Sequence, residues 1–391
     1  MNILFVYTSQ IIANSGGVQK VTSVLSSFFS SKNNKCYYLS LEKTSISHQK
    51  NHYFLPNEEV NSDLNKDYIK NIVIKNEINI IINQAALGGM MSELCYSAKE
   101  ISNVKILSVI HNSLLGNSDS FTNSNKKIFN FIPISLFPFL NYTFFKKTIL
   151  SLYILKYKKK YNRLYDLSDR IILLSDNYYS QFKLFVKHSS PDKVLSIYNP
   201  CSFDENKSYI KKKNELLFVG RINITQKRLD ILLKIWEELF RKFPDWKLNV
   251  VGNGPDLDYL KERANKMNLE RVFFVGFQDP ESYYRTAKIL CMTSSYEGLP
   301  LVLAEAQNYN VFPILFDSFP SAKDIIKNNI NGILIKSFDI KSYIQNLEVL
   351  MLNYEDKSKI FNLELQNNVN RFSINTIGAQ WLSLFKKILD E

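Results

Sequence analysis

The chain has 391 residues, of which 45% are hydrophobic, enough to bury two domain cores. Its four cysteines, Cys36, Cys95, Cys201 and Cys291, are scattered, with no Cys-x-x-Cys pair and no ligand cluster with the four histidines. A disulfide scaffold and a zinc-type site are thereby excluded, the thiols read as reduced, cytosolic packing residues, and the formal net charge of +12 is concentrated in one segment described below.

MNILFVYTSQ opens on an apolar, strand-like run rather than the basic region, long apolar stretch and cleavage site of a secretory signal, so none is expected. Strands are predicted at 3–7, 79–83, 105–110 and 170–174 in the first half, and at 216–219, 247–251, 271–275, 289–292 and 311–315 in the second. Alternation with helices predicts an α/β chain of two doubly wound parallel sheets, whose post-strand loops share one edge; two such domains facing each other make a cleft lined by those loops. The polar, turn-rich run NPCSFDENKSYIKKKNE, at about 199–215, reads as the linker. A final helix at about 374–389 carries Ile377, Trp381, Leu384, Phe385 and Ile388 at helical spacing.

In ANSGGVQKV, Gly16 and Gly17 sit between the first strand and a helix, where the missing side chains let backbone approach a ligand; a flexible connection is the plainer reading. His111 follows the 106–110 run and should emerge at a strand end rather than in the core. From Ser120 to Tyr165 there is no acidic residue, against nine Lys or Arg and twelve aromatics. An ordinary basic surface would account for this; so would a patch that dips aromatics into a headgroup layer and holds lipid phosphates with lysines. Pro133, Pro138 and interspersed asparagines argue against a spanning helix, and the large apolar runs argue against nucleic acid.

LLFVGRINITQKRLDILLKIW reads as strand, glycine turn and amphipathic helix, with Leu229, Leu232, Leu233 and Trp236 on the apolar face. Arg221 and Lys227 flank the turn, a fork and a point charge suited to a pyrophosphate, unless they are merely a basic loop. In VGNGPDLD the third glycine of a dinucleotide fingerprint is missing, and Asp256 and Asp258 open a helix, so cap chemistry is preferred to a metal site. SSYEGLPLVLAEAQ follows a strand. Its Gly298 and Pro300 form a turn into a helix whose free N–H groups suit a diphosphate, with Pro300 in the first helical turn. Glu297 lies on the loop, and Glu305, one turn beyond Leu301, is placed to accept from ribose hydroxyls; two solvated surface acids are the plainer alternative.

Taken in order, FVGRINITQK, VVGNGPD, FFVGFQD and SSYEGLPLVLAEA resemble a GT-B glycosyltransferase of family 4, the retaining group using nucleotide-diphosphate sugars. The likeness runs from about 216 to 334. It implies two Rossmann-like domains across a cleft, an acceptor domain at 1–200 and a donor domain at 214–373, with the helix at 374–391 packed back on the first. It also implies that Glu297 and His111 act at the sugar, and that Gly16 and Gly17 close on the phosphates or sugar. Arg221, Lys227 and the backbone of Gly298, Leu299 and Leu301 would hold the diphosphate, Glu305 the ribose, and the loop of Gly276 and Phe277 the base. No cofactor or metal is expected, UDP is favoured over GDP, and the resemblance implies a lipid-linked saccharide acceptor in capsule, O-antigen or lipopolysaccharide synthesis. The basic stretch at 126–165 adds an anionic membrane surface as a partner, giving a cytoplasmic, peripheral location on the inner face. A nucleotide-sugar isomerase or epimerase, and a non-catalytic membrane partner retaining the fold, are the alternatives; fold alone does not separate them.

Overall fold

The computed structural model describes residues 1–12, 16–43, 51–116, 143–201 and 210–391. The chain divides into two compact units, one of Met1–Leu114, Ser151–Ser202 and Phe372–Glu391, the other of Leu115–Leu150 and Phe203–Arg371. Up to the end of the second stretch of the first unit the elements are β1 (Asn2–Ser9), α1 (Gly17–Ser31), β2 (Lys35–Glu42), β3 (His52–Phe54), α2 (Asp63–Lys75), β4 (Ile80–Asn83), α3 (Met90–Ser97), β5 (Lys105–Ile110), α4 (Thr143–Leu167), β6 (Arg170–Leu173), α5 (Tyr179–Phe185) and β7 (Val194–Ser196). There follow β8 (Lys213–Val219), α6 (Leu229–Leu239), β9 (Lys247–Val251), α7 (Leu257–Lys266), β10 (Val272–Gly276), α8 (Glu281–Thr286) and β11 (Ala287–Met292). The chain continues through α9 (Leu301–Asn308), β12 (Phe312–Asp317), α10 (Ala322–Ile325), β13 (Ile333–Lys336), α11 (Ile340–Leu352), α12 (Tyr354–Val369) and α13 (Ile374–Asp390).

The first sheet has the order β3-β2-β1-β4-β5-β6-β7 and the second β10-β9-β8-β11-β12-β13, with the paired strands parallel throughout. Both are Rossmann-like, and each reverses direction of strand addition once, between β1 and β4 and between β8 and β11. Central strands are buried along their whole length because helices cover both faces: all of Ile80–Asn83 and all of Ala287–Met292 are buried, Lys288 included.

Four strands were not foreseen. β3 and β7 have three residues each and lie at the ends of the first sheet, and four-residue β13 ends the second, too short for a periodic signal. β2 mixes Lys, Cys, Tyr and Ser, so its pattern is weak. The expected linker also overran, because β8 begins at Lys213. Glu215 looks like a loop acid in sequence, yet it is 3% exposed. Its carboxylate accepts from Asn249 Nδ2 (3.2 Å) and Thr286 Oγ1 (2.9 Å) and pairs with Lys247 (3.0 Å), partners supplied only by the folded sheet.

In the first unit, α13 lies on α1. Ile377, Trp381, Leu384, Phe385 and Ile388 are all buried, and Phe385 meets Phe29 edge-on with ring centroids 5.2 Å apart. Gly378 is required there, since a Cβ would come within 2.2 Å of the Phe28 ring.

Candidate functional site

In the second unit the loops after β8 and β11 leave neighbouring strands at the point where the strand order reverses, so they emerge side by side. Backbone and hydroxyl bonds lock them together. Ser295 N donates to Gln226 O (2.7 Å), and Thr293 Oγ1 lies 3.1 Å from Lys227 O and 2.9 Å from Arg228 O. Arg228 caps the start of α6 in the left-handed region (φ 52°) and pairs with Asp230 at 3.1 Å. Gly220 leaves room for the lysine stem, as a Cβ there would sit 3.3 Å from Lys227 Cε.

These constraints bring Lys227 Nζ within 2.6 Å of Glu297 Oε1, while Gln226 Nε2 donates to Glu297 Oε2 at 3.2 Å. Glu297 is 5% exposed, so it is no solvated loop acid. An ion pair this buried holds because each charge has a partner; removing one leaves the other stranded at a cost of about 3–5 kcal/mol. The loop carrying Glu297 is fixed from β12 as well: Ser318 Oγ donates to Ser294 O and Ser321 Oγ to Gly298 O, both at 2.6 Å. The buried hydroxyls of Ser294 and Ser295 have no hydrogen-bond partner among the described residues.

Other sequence-predicted residues take up positions around this pair. Leu299 is buried, and α9 begins at Leu301 with Pro300 as its cap (ψ 94°), one residue before the predicted first turn, because that ψ is not helical. Glu305 is half-buried and accepts from the Tyr284 hydroxyl at 3.0 Å. Arg221 is exposed on the loop after β8, and Lys227 is paired with Glu297. Phe277 is 71% exposed beside Gly276, whose φ of +77° favours glycine.

One assignment is corrected. Asp258 lies in the first turn of α7, but the Asp256 side chain makes no cap bond; it accepts from Ile224 N at 2.7 Å and braces the loop after β8. Gly252 and Gly254 serve the same contact, since a Cβ would fall 1.9 Å from Gly220 O and 2.1 Å from Ile222 O. Among the described residues no group of three or more His, Cys, Asp or Glu is placed to hold a metal ion.

The first unit has a matching edge. Gly16 caps α1 in extended conformation, and Gly17 is the helix's first residue rather than the residue before it, with nothing within 4 Å of where its Cβ would be. His111 follows β5, and its Nε2 is hydrogen-bonded to Gln84 Oε1, the residue after β4. Gln84 Nε2 in turn donates to Thr22 Oγ1 on α1 at 3.1 Å. Burial pushes His111 down to about 4, so the ring is neutral at pH 7. Sequence reading missed Gln84, Thr22, Gln226, Thr293 and the brace by Asp256; a polar residue ending an all-apolar strand run, as in IINQ, is the one local signal for Gln84.

Residues 202–363 match the family model for glycosyl transferases group 1. A relative from Campylobacter jejuni subsp. jejuni serotype O:2 is a GalNAc-alpha-(1->4)-GalNAc-alpha-(1->3)-diNAcBac-PP-undecaprenol alpha-1,4-N-acetyl-D-galactosaminyltransferase, 29% identical over 57% of this chain and 62% of its own length. The chain spans about three fifths of the curated relatives it matches, 60% and 62% for the first two. Among solved structures, the lipopolysaccharide outer core galactosyltransferase WaaB in its apo form aligns with a TM-score of 0.67 over 99% of this chain and 100% of that one, at 18% identity. A pneumococcal O-GlcNAc transferase in complex with UDP and GlcNAc aligns with a TM-score of 0.73 over 100% and 99%, at 13% identity. Residues 202–363 carry the match to glycosyl transferases group 1, and the chain as a whole shares the GT-B fold of these solved structures.

Proposed function

We propose that the chain is a retaining, metal-independent glycosyltransferase that moves a hexose or N-acetylhexosamine from a UDP sugar to a lipid-linked saccharide in surface-polysaccharide synthesis. The buried Lys227–Glu297 pair at the strand-order reversal carries this reading. In the reaction the C1–O bond to the diphosphate breaks with its electron pair on the leaving phosphate oxygen, and a new bond forms from an acceptor hydroxyl oxygen, which gives up its proton. Positive charge grows on the sugar ring and negative charge on the phosphate. Lys227, Arg221 and the N–H groups opening α9 meet the growing negative charge; Glu297 steadies the ring; Glu305 accepts from the ribose. Phe277 and Gly276 receive the base, and Gly16, Gly17 and His111 act on the sugar side.

UDP is favoured by the complex of the pneumococcal neighbour, and a lipid-linked acceptor by the PP-undecaprenol in the Campylobacter relative's name. The basic segment supports location on an inner membrane face. Residues 120–142 of that segment lie outside the described residues, but α4 exposes Leu152 and Leu155 among Lys156, Lys158, Lys159 and Lys160. Among the described residues no helix is long and apolar enough to cross a membrane. The test is thermal stabilisation by UDP, GDP, ADP and CMP and their sugars in EDTA, followed by product analysis with and without acceptor. A shift with a UDP sugar and transfer only with acceptor is expected. Conversion of donor without acceptor would replace transfer with isomerisation, and binding without turnover would leave a non-catalytic partner. Flotation with anionic vesicles, lost on neutralising Lys158, Lys159 and Lys160, tests the membrane surface.

A further inference from the structure

Hydrogen-bond donors and acceptors around His111 can be assigned one after another. Thr22 Oγ1 lies 2.8 Å from Val18 O, which can only accept, so the threonine proton is committed there. The threonine oxygen then accepts, and the group 3.1 Å away must be the amide NH₂ of Gln84. That fixes the amide orientation and turns its Oε1 toward His111 Nε2. An amide oxygen has no proton, so Nε2 must carry one, and in a neutral imidazole Nδ1 is then bare. His111 Nδ1 is buried and has no hydrogen-bond partner among the described residues. Gln84 and Thr22 are 3% and 0% exposed, so water does not scramble the relay. Thr22, Gln84 and His111 come from α1, the end of β4 and the end of β5, on the edge of the sheet where strand order reverses and ligands of such folds bind.

We infer that Gln84 is a positioning residue which, held by Thr22, fixes the Nε2-protonated tautomer of His111 and leaves Nδ1 as an acceptor for a hydroxyl of the bound sugar. The sugar contact rests on the proposed glycosyltransferase reading; the tautomer does not. A buried acceptor left unpaired is destabilising, and a ligand hydroxyl that donates to Nδ1 relieves that cost, whereas an imidazolium, a donor on both nitrogens, could not accept that proton. Burial keeps the ring neutral over the working range.

The experiment is nitrogen-15 NMR of the imidazoles in the full chain, tractable because there are four histidines. In ligand-free protein at pH 7, His111 should give the pattern of a protonated Nε2 and a bare Nδ1. Gln84→Glu should keep that pattern, because a carboxylate also accepts from Nε2, whereas Gln84→Met should lose it and lower kcat/KM for donor about tenfold, the worth of one hydrogen bond. A protonated Nδ1 in the unaltered protein, a measurement that needs no variant to fold, would overturn the tautomer, and an unchanged pattern in folded Gln84→Met would overturn the role of Gln84. Adding UDP-glucose, UDP-galactose or UDP-GlcNAc should move the Nδ1 resonance where UDP alone does not. Binding of a UDP sugar with Nδ1 unmoved would overturn the hydroxyl contact alone. Failure of every UDP sugar to bind would overturn the functional reading and the contact with it, while the ligand-free spectrum still decides the tautomer.

Discussion

The two units use one strand order and equip its reversal point in opposite ways. In the second, the loops after β8 and β11 bury an ion pair, Lys227 with Glu297, steadied by Gln226. In the first, Thr22 on the helix after β1 meets Gln84 at the end of β4 in a neutral relay that reaches one strand further, to His111 after β5. A charged pair suits a ligand whose charge changes: in the proposed transfer Lys227 would exchange Glu297 for a phosphate. A neutral acceptor suits a hydroxyl, which needs direction rather than charge. Topology thus sets where ligands meet the sheet, and the few residues after each strand set what kind of ligand group is met.

Breaking the charged side should have the largest effect. Lys227→Ala is expected to cut kcat by about 100- to 1000-fold, as for loss of an oxyanion-stabilising donor, and to lower the melting temperature because Glu297 is left unpaired. Unchanged turnover in steady-state assays would remove Lys227 and Glu297 from the site. Gly252→Ala forces a Cβ against Gly220 O at a φ of +144° and should cost roughly 3 kcal/mol in a denaturant titration, since backbone cannot swing aside. Acid should then separate the units. All four histidines fall within the ranges of the first unit, and burial holds His52 and His111 down to about 4. The unfolded chain therefore takes up protons below about 6.5 while these folded rings do not, so stability falls as pH drops from there toward 4. Melting curves of the protein and of His111→Asn across that window check it, the variant showing the shallower fall. The smallest effect belongs to Phe277→Ala. With the ring 71% exposed, stability should change by less than about 0.5 kcal/mol, and donor KM should rise a few-fold with kcat unchanged.

How much of this was readable in sequence follows from range. The β11 strand, its glycine turn and α9 are encoded within twenty-two residues, and the apolar face of α6 within fewer, where Leu229, Leu232, Leu233 and Trp236 are all fully buried. Residue types at the strand ends were readable too, which is why Lys227, Glu297 and His111 stood out. Their partners were not. Lys227 and Glu297 are 70 residues apart, Gln84 and Thr22 62, and Asp256 reaches back 32 to Ile224. No local spacing announces such a pairing; parallel-sheet order creates it. Glu215 was misread for the same reason, as its partners Lys247 and Asn249 sit on β9 and Thr286 ends α8.

The return of α13 to α1 also bears on how the molecule is made. Phe29 and Gly378 belong to segments separated by all of the second unit, and the bridge of Cys201 with Ser373 closes its excursion from Phe203 to Arg371. On the ribosome, the bulk of the second unit is complete before the helix that finishes the first core has been synthesised. Until then α1 exposes the surface around Phe28 and Phe29, and contacts of such long sequence separation form slowly. The first unit's core is thus the later to be completed, and its aromatic face around Phe28 and Phe29 is the part left uncovered until α13 has been made.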